Sequence, residues 1–101
     1  MQNIIKNHPA LITRTESSLE YLLAKAKKIV IDNDAIVCFE FHGKEIFVNK
    51  NTNFTDIHRD FTLAFIMNWK SIGVDCLEDY SENLKLEIDK ARDTWKKTVG
   101  W

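Results

Sequence analysis

The chain has 101 residues, of which 45 % are hydrophobic and 29 % charged, and its formal net charge is −1. This length and composition are typical of one globular domain, and they exclude a largely disordered or linker-rich protein. The near-neutral charge argues against a protein held to nucleic acid by electrostatic attraction, because such domains are strongly basic.

The charges are distributed unevenly along the chain. Residues 1–31 hold five bases and two acids, whereas residues 75–93 hold seven acids and three bases. We interpret these segments as two solvated helix faces of opposite sign. The alternative is an acidic surface that attracts a basic partner.

The cysteines and the N-terminal residues bear on the cellular compartment. Two cysteines, Cys38 and Cys76, do not make a disulfide framework. The chain opens without the apolar run of a signal peptide, and no stretch is apolar enough to cross a bilayer. We therefore expect a small soluble, cytoplasmic protein with reduced thiols and no membrane association. Its richness in Ile, Asn and Lys suggests a bacterial or phage origin by association alone.

We assign residues 1–101 to a single domain. The sequence does not decide the secondary structure of its first segment. Residues 2–6 fit a short strand added to a sheet, Pro9 prevents a helix from running through this segment, and both chain ends are expected to be loosely held. Thr13 and Glu16 form a predicted capping box. Apolar residues then recur along one helix face: Leu19, Leu22, Leu23, Ala26, Ile29 and Val30. Residues 28–32 also fit a strand, and residues 32–34 form a turn cluster.

The clearest local prediction is a β-hairpin with a tight turn at His42-Gly43. A two-residue turn uses the tolerance of Gly43 for positive φ and sets Glu40 opposite Glu45. It also gives one face five apolar side chains: Val37, Phe39, Phe41, Ile46 and Val48. A bulged three-residue turn would pair Glu40 with Lys44 but would break up that face, so we favour the first register. The second face is half apolar, through Ile36, Cys38 and Phe47, and must also be covered.

A second helix follows the hairpin. Asn53 or Thr55 is its predicted cap, and Gly73 is its predicted left-handed end. Phe61 and Phe65 are expected in the core. Residues 63–69 are apolar nearly all round, which predicts burial on more than one side.

The third predicted helix starts at a capping pair, Asp75 with Glu78. Its apolar seam is close to heptad spacing: Leu77, Tyr80, Leu84, Ile88, Ala91 and Trp95. Charges at helical spacing predict ion pairs on its exposed side: Lys85–Asp89, Glu87–Lys90, Asp89–Arg92 and Asp93–Lys97.

No catalytic or ligand-binding pattern of any specificity is present. The possible zinc ligands lack the spacings of a metal site, and they are better explained as core thiols, a turn histidine and a helix histidine: Cys38, Cys76, His42 and His58. No glycine-rich loop could hold a phosphate. We predict no catalytic residue, cofactor or metal. The enzymatic alternative is an accessory subunit with a minimal site at Glu40, His42 and Glu45.

The sequence predicts a fold of the α+β class in α-β-β-α-α order. We expect a non-enzymatic protein-binding protein of the inhibitor or adaptor type that self-associates as a homodimer, because its apolar residues exceed what two strands and three helices can bury. The candidate interface consists of apolar residues without a clear place in the core: Ile36, Phe47, Ile66, Met67, Trp69, Tyr80 and Trp95. The alternative is a dimeric nucleic-acid-associated regulator, which the net charge disfavours.

Overall fold

A computed structural model describes residues 3–12 and 18–100 as a mixed α+β domain. In chain order, the helices and strands of the described residues are β1 (Ile4–Lys6), α1 (Leu19–Asn33), β2 (Ile36–Phe41), β3 (Lys44–Val48), α2 (Phe54–Met67), β4 (Ser71–Ile72) and α3 (Glu82–Val99). Short 3-10 turns lie at Pro9–Leu11 and Val74–Cys76. No helix among these residues is long and apolar enough to cross a bilayer.

The hairpin forms in the predicted register. β2 and β3 pair antiparallel with Glu40 opposite Glu45, and Phe39 opposite Ile46. His42 and Gly43 both have positive φ, 50° and 79°, as a two-residue type I′ turn requires. The choice of the unbulged turn is therefore confirmed, and burial of the five-residue apolar face outweighs the weak repulsion between two exposed carboxylates.

Two short strands extend the hairpin to a four-stranded sheet in the order β1-β2-β3-β4. β1 pairs parallel with β2, with Ile4 opposite Ile36, so residues 4–6 take the strand option. Residues 28–32 belong to α1 instead. β4 pairs parallel with β3 and was not predicted, because two residues leave no periodic pattern.

The first helix has the predicted apolar stripe but a different start. Ser18 caps it, with its side-chain oxygen accepting a hydrogen bond from the backbone N–H of Tyr21 at 3.1 Å. Thr13 and Glu16, the predicted capping box, lie outside the described residues. Five residues of the stripe are buried: Leu19, Leu22, Leu23, Ala26 and Val30. The helix ends at Asn33, and Asp34 after it has a φ of 47°.

The second helix ends earlier than predicted. Asn53 caps its start, as one of the two predicted options, and accepts a hydrogen bond from the N–H of Thr55 at 2.8 Å. The prediction that Gly73 ends the helix is wrong. Asn68 takes the left-handed position with a φ of 59°, which asparagine adopts more readily than most residues, and the helix stops at Met67.

The third helix starts later than predicted. Ser81 caps it and accepts from the N–H of Leu84 at 3.2 Å, so the predicted capping pair Asp75 and Glu78 lies before the helix. From Leu84 onward the predicted seam faces the protein. Ile88 and Ala91 are buried, and Leu84 and Trp95 pack half-buried against the core.

Both faces of the hairpin are covered. On the first face, α2 packs through Phe61, whose ring centroid is 5.4 Å from that of Phe41. On the second face, the chain after β4 lies against the backbone carbonyl of Phe47 at Gly73, and Leu77 and Tyr80 line a small cavity together with Ile36. The segment 74–80 therefore provides the cover that a two-faced apolar hairpin needs.

Candidate protein-binding surface

A groove of about 500 Å³ lies between the end of α2 and the second half of α3. On the α2 side its wall is Leu63, Ile66 and Met67. On the α3 side the wall follows one flank of the helix from Glu87 to Val99, through Lys90, Ala91, Thr94, Trp95 and Thr98. The lining is mostly apolar, and the polar side chains come from α3. An open apolar groove with a polar rim is typical of a surface that another protein covers. We name it the α2–α3 groove.

The α2 wall of the groove is exposed because the helix packs on the domain by one face only. Leu63 and Ala64 are buried, whereas the next three side chains, Phe65, Ile66 and Met67, are exposed. The expectations that residues 63–69 are buried on more than one side and that Phe65 belongs to the core are therefore wrong. The all-round apolar pattern leaves an apolar face in solvent.

Lys44 of β3 holds the end of α2 in place. Its Nζ donates to the carbonyl oxygens of Trp69 at 2.7 Å and of Ala64 at 3.4 Å, and lies 4.9 Å from the ring centroid of Phe65. The last carbonyls of a helix lack partners within the helix, and a cation there also opposes the negative end of the helix dipole. This anchoring fixes the direction in which Ile66 and Met67 point away from the sheet.

The α3 wall is attached to α2 through a buried ion pair. Asp60 on α2 is only 3 % exposed, and its two oxygens accept from Arg92 Nη2 at 2.5 Å and Arg92 Nε at 3.1 Å. Arg59 and Asp75 complete the cluster. Burial alone would lower the pKa of Arg92, but the hydrogen bonds and charges of Asp60 and Asp75 outweigh it and raise the pKa above its ordinary value. The guanidinium therefore stays charged, and its two hydrogen bonds to Asp60 fix α3 relative to α2.

The ion pair replaces a predicted one. Arg92 was expected to pair with Asp89 on the exposed side of α3, whereas its side chain points to Asp60 and Asp75. Of the predicted pairs along α3, Asp93 with Lys97 forms at 3.0 Å. Asp60 and Arg92 are 32 positions apart, so their contact does not follow a helical spacing in the sequence. The ion pair of Asp60 was therefore not predicted.

Three of the seven candidate interface residues come together in the groove: Ile66, Met67 and Trp95. Ile66 is 67 % exposed, the highest value among the exposed large hydrophobic residues. Tyr80 lies elsewhere, in the wall of the small cavity beside Ile36. The half-buried Trp95 packs on the core with part of its ring and lines the groove with the rest.

The side chains of the other three candidates are buried within the chain itself. Ile36 is 4 %, Phe47 6 % and Trp69 7 % exposed. Ile36 borders a cavity with residues of segment 74–80, and the Nε1 of Trp69 donates to Glu87 at 3.3 Å. None of the three presents a surface to a partner in this fold.

Other residues of the groove were not among the predicted interface residues. Leu63, Ala91, Thr94, Thr98 and Val99 line it beside the predicted ones. The signal that could have found them is the flank of α3 next to its buried seam. There small and hydroxyl side chains recur at helical spacing (Ala91, Thr94 and Thr98) and leave room for another chain.

The residues of the enzymatic alternative do not converge. Glu40 and Glu45 are partners across the strands and lie on the second face of the hairpin. The His42 ring packs instead against the rings of Phe41 and Phe61 on the first face, at centroid distances of 4.3 and 6.3 Å. A histidine and two carboxylates on opposite faces of a sheet cannot share one proton-transfer site.

The side chains that could bind a metal or stack on the bases of a nucleic acid are likewise dispersed or buried. Among residues 3–12 and 18–100, no group of three or more His, Cys, Asp or Glu side chains is placed to hold a metal ion. Burial raises the pKa of both Cys38 and Cys76 to about 11, so each remains a protonated thiol of low reactivity near neutral pH. Phe39, Phe41 and Phe47 are buried, so their rings are not available to stack on bases.

Comparisons of the chain with protein-family models, with curated proteins and with solved structures find no match.

Proposed function

We propose that this protein is a small, non-enzymatic, cytoplasmic protein-binding protein of the inhibitor or adaptor type, that its binding surface is the α2–α3 groove, and that it self-associates through this surface. The observation that carries the proposal is the groove itself. It combines exposed apolar side chains with rigid walls, and Ile66 and Met67 contribute nothing to the core of their own chain.

The rigidity of the walls supports a binding role. The helices that form them are joined by the Asp60–Arg92 pair and by the contact between Trp69 and Glu87, and Lys44 anchors the end of α2. A preformed surface loses little conformational entropy when a partner binds, so more of the gain from burying apolar area remains as affinity.

The exposed apolar side chains outside the groove provide a control. Leu86 lies on α3, is 66 % exposed and does not line the groove, whereas Ile66 is 67 % exposed and does. The two residues are therefore matched in exposure and in their helical setting, and they differ in their relation to the surface. Glutamate at either position should leave the fold intact, because neither side chain is buried.

The test is the molar mass of the wild type and both variants, measured by light scattering at tens of micromolar. We expect a dimer for the wild type and for Leu86→Glu, and a monomer for Ile66→Glu, because a buried, unpaired carboxylate at a dimer interface is strongly unfavourable. Circular dichroism checks that both variants are folded. A monomeric wild type would refute self-association, and a dimeric Ile66→Glu would show that the chains meet at another surface.

A further inference from the structure

We infer that two copies of the chain meet groove to groove with their α3 helices antiparallel; the inference rests on the proposed self-association and adds the orientation of the two copies. The charge pattern of α3 and the arrangement of its groove flank carry it.

The two halves of α3 have opposite charge. Residues 82–89 hold three acids and one base, whereas residues 90–99 hold four bases and one acid. Arg92 is already engaged with Asp60 and Asp75, and Lys97 with Asp93, so Lys90 and Lys96 carry the remaining positive charge of the second half. An antiparallel pair sets the acidic half of each helix beside the basic half of the other, and a parallel pair sets like charges together.

The rim of the groove shows the same self-complementarity. Glu87, Lys90, Thr94 and Thr98 follow one another at spacings of three and four residues, so they form one flank of the helix. In a two-fold dimer the same patch must fit itself, so each charge needs its opposite at the symmetry-related place. With the helices antiparallel and position 83 beside position 98, Glu87 of one copy lies beside Thr94 of the other, one turn from both Lys90 and Lys97.

Glu87 can take part in such a contact without giving up its present one. It accepts a hydrogen bond from Trp69 Nε1 at 3.3 Å, and a carboxylate can accept several. The apolar parts of the two grooves then meet in the centre of the interface, where Ile66 and Met67 of one copy pack against the α2–α3 groove of the other. The contact is a four-helix arrangement built from α2 and α3 of each copy, a packing that helices with one apolar flank adopt readily.

Cross-linking between two chains that each carry one accessible cysteine tests the orientation. Asn83 lies one turn before Glu87 on the same flank, Thr98 lies in the last turn, and both are exposed and uncharged. They are about 22 Å apart along the helix, from fifteen residues at the α-helical rise. Both Asn83→Cys and Thr98→Cys are made in a Cys76→Ser background, and Cys38 remains because it is buried.

We expect a short bis-maleimide reagent to link the two chains when they are mixed and to link neither chain to itself. In the antiparallel dimer position 83 of one copy lies beside position 98 of the other, and identical positions lie at opposite ends. The reverse result, self-linking of each chain without linking of the mixture, would establish a parallel pair and overturn the inference while leaving self-association standing. A monomeric mass for the untreated chains would overturn both.

Discussion

At the scale of single residues, Gly73 has a role that no other residue type could fill without cost. It has a φ of 75°, and a Cβ atom at this position would overlap the carbonyl oxygen of Phe47. The glycine therefore allows the chain after β4 to pass close to β3 and to start the segment that covers Phe47. Its function in the fold is close backbone approach rather than the helix end that its position suggested.

We predict that Gly73→Ala lowers the free energy of unfolding by about 2 kcal/mol or more, because the left-handed backbone costs about 1–2 kcal/mol for alanine and the overlap adds to it. The measurement is urea denaturation. Gly43→Ala is the matched control, since Gly43 also has a positive φ but a Cβ there has no atom within 4 Å. Equal losses for the two variants would refute the close-approach role.

At the scale of elements, the hairpin owes its stability to cover on both faces. Phe47 lies on the second face and is buried, and the chain that continues from Gly73 beside its carbonyl into segment 74–80 has little regular structure. Such a segment has no hydrophobic period of its own, so the sequence showed that the second face needed cover but could not show what provided it. The apparent surplus of Ile36 and Phe47 disappears once this segment is in place.

Two phenylalanines separate core from surface by the same substitution. Phe47→Ala should lower the free energy of unfolding by about 3–5 kcal/mol, as for other buried phenylalanines. Phe65→Ala should lower it by about 1 kcal/mol, because Phe65 is exposed and contributes only its contacts with the Phe61 ring and Lys44. Thermal or urea unfolding of both variants checks the difference. A small loss for Phe47→Ala would return that side chain to the candidate interface.

What could be predicted from the sequence depended on whether the responsible contacts are local. The turn at His42-Gly43, the register of Glu40 and Glu45 and the stripe of α1 all follow from neighbours in the chain, and all are confirmed. The burial of Trp69 and the exposure of Ile66 do not follow from neighbours in the chain, because a run that is apolar on every side cannot indicate which face its partners will cover. Those partners are Lys44 and Glu87, about twenty residues away in the chain.

At the scale of the whole molecule, the distribution of apolar surface is more informative than its amount. Cover by α1, α2 and the segment after β4 accounts for the hairpin, and three exposed apolar side chains lie together at the end of α2: Phe65, Ile66 and Met67. They lie beside a helix whose two halves differ in charge sign, and the two features meet in the α2–α3 groove. A surface that is apolar in the centre and self-complementary in charge favours a second copy of the chain over an unrelated partner.

The methyl resonance of Met67 tests most directly whether this groove is the surface that self-association covers. The chain has two methionines, so methyl-labelled methionine gives a simple spectrum in which Met67→Leu assigns the signal. We predict that the Met67 resonance shifts on dilution with the same midpoint as the molar mass, because its surroundings change from partner to water. A resonance that stays in place while the mass falls from dimer to monomer would contradict the assignment of the α2–α3 groove as the interface.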